Sequence, residues 1–145
     1  MFHNILVPLD GSENAYKTLE YAANLSKKYD SQINVLSVFR HHSYIEKSIS
    51  MVRPREPENL DDVLSAYAKE VVAQGKTILQ EQGVKKVRGF IKMGTASKKI
   101  LEFAKKHQID LIIIGSQGNG DLKGYLLGGV SHKVTGLAKC PVMVI

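Results

Sequence analysis

The sequence predicts an open α/β fold: a mostly parallel, five-stranded sheet with helices on both faces, of the Rossmann-like kind. Three observations carry this. Short β-rich runs alternate with longer helical runs along the whole chain. Leu111–Ile114 is apolar at every position, as in a strand covered on both faces. Asn4–Leu9 is a second short apolar run, stopped by the turn residues Asp10-Gly11-Ser12. Strand–helix alternation with right-handed crossovers gives a parallel sheet. The 145 residues fit one domain, read as spanning 1–145.

The elements follow in order. Pro8 cannot donate to a ladder, so it belongs at the end of the first strand. Ala15, Leu19, Ala22 and Ala23 fall on one helical stripe, and Ser12 suits the N-cap. Ile33–Phe39 is rich in β-branched residues and reads as the second strand. Residues 40–59 hold Arg40, His41, His42, Lys47, Arg53 and Arg55 with no sustained period, and read as a mobile insertion. Leu60–Gln82 is a long amphipathic helix, and Val84–Lys92 a third strand. Gly94-Thr95 opens a helix with Ile100, Phe103 and Ala104 inward. After Leu111–Ile114 and a glycine-rich loop come a short helix, Val130–Ala138, and a fifth strand, Val142–Ile145.

Composition excludes several classes. With 43% apolar residues, 23% charged residues and four prolines, the chain is neither disordered nor collagen-like. The single Cys140 cannot form an internal disulfide and fits a reducing compartment. The opening residues lack the basic region and cleavage site of a signal peptide, and no apolar run approaches the roughly 20 residues needed to cross a bilayer. The expectation is a cytoplasmic protein without membrane insertion. The formal charge of +6 suits an anionic ligand, a nucleic acid or a membrane surface, and by itself does not choose.

The glycine-rich segment carries the chemistry. Six of the 12 glycines lie in GSQGNGDLKGYLLGG, residues 115–129. Glycine lets backbone amides approach an anion closely, successive amides form a nest for phosphate, and the following helix would point its amino end at the same place. The plainer alternative is a surface loop that binds nothing. No G-x-x-x-x-G-K-[ST] occurs. The dinucleotide fingerprint is also absent, because Gly118-x-Gly120 lacks the third glycine and follows the fourth strand. In open α/β sheets ligands sit outside the carboxyl ends of the strands, where strand order reverses. If the first strand is central, Pro8–Ser12 and the stretch from Gly115 flank that point.

The spacing that does occur is G-x2-G-x9-G, at Gly115, Gly118 and Gly128. Together with ILVPLDGSENA, DLIIIGSQG, LLGGVSHKV and KCPVMVI, it resembles the universal stress protein family over nearly the whole chain. The resemblance implies strand order 3-2-1-4-5 and a pocket for an adenine nucleotide: ATP first, with ADP or AMP as alternatives and Mg²⁺ on the phosphates. It would place Pro8 and Asp10 beside adenine and ribose, and Val38 as an apolar wall. Ile114 would precede the phosphate loop, and Gly115, Gly118, Gly128, Gly129, Val130 and Ser131 would line ribose and phosphates. ATP-binding members carry serine or threonine where this chain has Gly129. That departure implies weaker ATP affinity or a shift towards AMP or ADP, with the Ser131 hydroxyl two places on as a substitute. Asp10 also has a structural reading as a turn or cap residue.

The five histidines show no metal spacing, Cys140 reads as packing, and no catalytic residue is assigned. The paired lysines are dispersed along the chain, with no nucleic-acid-binding signature. The last strand would be a sheet edge, which invites pairing with a second copy; the resemblance implies a homodimer through Val142–Ile145. The leading expectation is a stress-response or regulatory protein whose nucleotide-dependent conformation governs binding to an unidentified protein partner. A slow ATP hydrolase and an interaction module with a vestigial pocket are the competing readings.

Overall fold

The computed structural model describes residues 1–40, 57–118 and 127–145. Its strands are β1 (Asn4–Pro8), β2 (Gln32–Phe39), β3 (Val87–Met93), β4 (Leu111–Ile114) and β5 (Val142–Val144). Between them run the helices α1 (Glu13–Tyr29), α2 (Pro57–Glu81), α3 (Ala96–Lys106) and α4 (Gly129–Leu137). All four strand pairings are parallel, and the order across the sheet is β3-β2-β1-β4-β5. This is the fold and strand order expected from the sequence.

Alternation along the strands divides the core into two layers. Ile5, Val7, Ile33, Val35, Leu111 and Ile113 face α1 and α2, meeting Leu19, Ala22, Val71 and Leu79. Leu6, Leu36, Ile112 and Ile114 face the other way, onto Ile100 and Phe103 of α3 and Val134 of α4. Both faces of the central strands are dry, which is why they read as unbroken apolar runs. Burying each such side chain contributes about 1.5–3 kcal/mol. Besides Ser37, β2 buries one further polar residue, Asn34, only 5% exposed. Its side-chain amide donates to the Ile5 carbonyl across the sheet at 3.2 Å, so the buried group is satisfied.

Boundaries differ from expectation by one to three residues at several element ends. The helix α2 begins at Pro57, whose fixed φ suits a first helical position. Residues 57–59 are thus helical rather than part of an insertion; the remainder of that reading, 41–56, lies outside the described residues. The strand β3 starts at Val87, not Val84. Val84 is buried and donates its amide to the Leu79 carbonyl, so it closes α2 after Gly83, which sits at φ +88°. The helix α4 starts one residue early, at Gly129, and ends at Leu137.

Candidate functional site

Strand β1 lies between β2 and β4, and the chain leaves it into α1 on one face, whereas beyond β4 it reaches α4 on the other. A crevice must open between those two exits. Its first wall is the turn after β1. The Leu9 amide donates to the Leu36 carbonyl at 2.8 Å, Gly11 adopts φ +87°, and the Ser12 amide donates to Asp10 Oδ1 at 2.9 Å. Ser12 then caps α1, its Oγ accepting from the Ala15 amide at 3.1 Å. Asp10 therefore has the structural role expected of a turn residue as well as a place in the crevice.

The second wall follows β4. Gly115 packs against the first turn of α1 so closely that a Cβ there would lie 2.7 Å from Asn14 Nδ2. That same Asn14 nitrogen donates to the Gln117 carbonyl at 2.8 Å, clamping the start of the glycine loop onto α1. Ser116 ties the loop's two ends together. Its carbonyl accepts from the Gly128 amide at 2.6 Å and from Ser131 Oγ at 2.8 Å, and its own amide donates to the Ile145 carbonyl at 2.7 Å.

Between these walls lies a cleft with about 610 Å³ of open space, its solvent-filled mouth included. Eight of the ten residues expected at the site line it: Pro8, Asp10, Val38, Ile114, Gly115, Gly118, Val130 and Ser131. Gly128 and Gly129 are not in the lining. Gly128 is the N-cap of α4, with its amide turned to Ser116, and a Cβ on Gly129 would meet nothing within 4 Å. Ser131 is 2% exposed, and its hydroxyl proton faces the carbonyls of Ser116 and Gly128. That hydroxyl holds the loop's base, a structural role the sequence did not suggest.

The cleft also takes in Leu9, Ala15, Leu36, Ala96, Ile100 and Gln117, none of which was expected at the site from the sequence. Gln117 stands inside the glycine segment and was legible there. Ala96 and Ile100 of α3 arrive only because β2 and β3 place that helix over the sheet, a tertiary fact with no local signal. Asp10 is the sole charged side chain among the described lining residues. An anion in the cleft would rest on backbone amides and on the first turn of α4, not on lysine or arginine. Leu36, Val38, Ile100 and Ile114 supply apolar walls suited to a planar ring. Beside the cleft, burial raises the Tyr16 phenol above its ordinary pKa, and the neighbouring Tyr67 and Asp10 add to the shift. Among the described residues no cluster of three metal-ligating side chains occurs. Cys140 packs near α4, and burial pushes its thiol up, the opposite of a reactive cysteine.

The family model for the universal stress proteins matches residues 1–145. The chain belongs to the universal stress protein family. Among its family relatives, universal stress protein YxiE of Bacillus subtilis is 31% identical, with 100% of this chain and 99% of that one aligned. Among solved structures, universal stress protein UspA from Lactobacillus plantarum superposes with a TM-score of 0.84 at 27% identity, covering 99% of this chain and 97% of its own. Two more distant structures share the universal stress protein fold: one in complex with cAMP (TM-score 0.73, 17% identity, 99% and 96% covered) and one from Archaeoglobus fulgidus in complex with dAMP (0.71, 18%, 99% and 98%). No helix among the described residues is long and apolar enough to cross a membrane.

Proposed function

We propose that this universal stress protein binds an adenine nucleotide in the cleft at the carboxyl ends of β1 and β4, and that occupancy sets the conformation a protein partner reads. The observation that carries the proposal is convergence. Pro8 with Asp10, Val38, Ile114 with Gly115 and Gly118, and Val130 with Ser131 come from four separate stretches of sequence and line one cleft. The cAMP and dAMP complexes of distant members lend support, since both ligands carry adenine. In this reading Val38, Leu36 and Ile100 flank the base, and the Asp10 carboxylate accepts from a ribose hydroxyl. Amides of the segment from Gly115 to Gly118 and of the first turn of α4 receive phosphate. Asn14 and Ser131 hold that segment in shape.

ATP is the expected ligand, with ADP and AMP as the alternatives that Gly129 favours by withholding a hydroxyl. Mg²⁺ would be carried by the phosphates, because Asp10 is the lone carboxylate among the described lining residues and already accepts the Ser12 amide. We further propose a cytoplasmic homodimer joined through the β5 edge.

Calorimetric titration with ATP, ADP and AMP tests the binding proposal. At least one should bind at micromolar to sub-millimolar concentration, and Gly118→Val should weaken it at least tenfold, about 1.4 kcal/mol, by blocking backbone approach. Absence of binding by all three at millimolar concentration would overturn the reading and favour the vestigial pocket.

A further inference from the structure

Folding gathers cations that the sequence disperses. The seven-residue strand β3 is one edge of the sheet, paired to β2 and to no other strand among the described residues. Arg88, Phe90 and Lys92 alternate onto the α3 face. There Phe90 meets Phe103, and the ring of His107 stacks on Phe103 with centroids 4.0 Å apart. Partial burial disfavours protonation of His107, and Lys106, Lys92 and Arg88 lie close enough for their charges to add to that effect. None of the three makes an ion pair among the described residues, whereas the nearby Lys86 and Lys99 are paired with Asp30 and Glu102. The opposite face of the same edge is different. A groove runs there between α2 and β3, with an apolar floor of Val72, Ala73 and Ile91 and with Lys69 and Lys76 at its rim.

We propose that the β3 edge receives an extended, acidic segment of a partner protein as an added strand. An extended segment sends alternate side chains to opposite faces. On this edge, one set would meet Arg88, Lys92 and Lys106, and the other would lie over the apolar groove. The sequence that fits alternates carboxylates with aliphatic residues. Main-chain hydrogen bonds to the open edge would supply affinity, and the two faces would supply register. Charged residues on an edge also deter self-pairing; like charges here would repel a second copy of β3 while attracting an acidic strand.

The probe is a fluorescein-labelled octapeptide of alternating Glu and Val, titrated by anisotropy against the full chain at low salt. Two further versions carry N-methyl groups on all Glu or on all Val residues. Because successive amides of a strand point to opposite edges, only one of the two methylated peptides should lose binding, by at least tenfold. The variant R88E/K92E should lose binding to a similar degree while keeping the wild-type melting temperature. No binding of the unmodified octapeptide, equal binding of both methylated versions, or an oligo-dT of equal charge binding more tightly and displacing the peptide would each overturn the proposal. The last outcome would point to a nucleic acid instead.

Discussion

Gly115 shows how one missing methyl group can organise a site. The first turn of α1 occupies the space where its Cβ would stand, with Asn14 Nδ2 at 2.7 Å and the Asn14 carbonyl oxygen at 3.3 Å. Gly115→Ala should therefore displace Asn14, break its hydrogen bond to the Gln117 carbonyl and destabilise the protein by about 1–3 kcal/mol, as overpacking does. Urea unfolding measures this, and unchanged stability would show that α1 yields without strain. Asn14 was invisible in the sequence, since a polar residue in a helix's first turn is expected to be solvated. Ser131 was visible and lies in the cleft's lining, but its hydrogen bonds to the carbonyls of Ser116 and Gly128 had no signal in the sequence. The structural reading of Asp10 is met, because an aspartate before glycine is a turn former wherever it lies, and its Oδ1 accepts from the Ser12 amide.

At the scale of elements, legibility follows burial. The strands β1, β2 and β4 could be read because both their faces are dry and no other pattern competes. The edge strand β3 was extended too far at its start, since Val84 is as apolar as a strand residue but serves the end of α2. The start of α4 was missed by one residue, because glycine is a poor helix former and the helix opens on Gly129 without a side-chain cap. The amino end of α1 is the reverse case. Ser12 was assigned as N-cap from residue type alone, and its Oγ does accept from the Ala15 amide. Ser12→Ala should lower stability by about 1 kcal/mol. Thermal melts followed by circular dichroism would register that loss, and no shift in midpoint would mean that the Asp10 turn holds the helix start by itself.

At the scale of the whole molecule, the sheet has two dissimilar edges. The strand β3 is seven residues long and cationic, whereas β5 is three residues long, apolar and only half-buried. An apolar edge of unpaired amides favours a second copy of the same chain. Sedimentation equilibrium at micromolar concentration should give about twice the mass of one chain, and Met143→Lys should return it to monomer. A monomeric wild-type protein would refute assembly through β5. Strand order is the whole-molecule property that residue patterns left open, since alternating strands and helices fit several orders. The family resemblance singled out 3-2-1-4-5, and the hydrogen-bonded ladders have that order. The cleft's third wall, α3, depended on the same information.

Ser116 joins three segments far apart in sequence: its carbonyl binds Gly128 and Ser131, and its amide binds Ile145. Ile145 in turn donates its amide to Ile114. These contacts all converge on Ser116, so displacing that residue loosens both the loop's base and the chain's last strand. In hydrogen–deuterium exchange, the amides of Ser116, Gly128 and Ile145 should then behave as a single opening unit, distinct from the slower core amides of β1 and β4. Opening of the cleft's mouth and fraying of the sheet's last strand are, on this account, one motion observed at two ends.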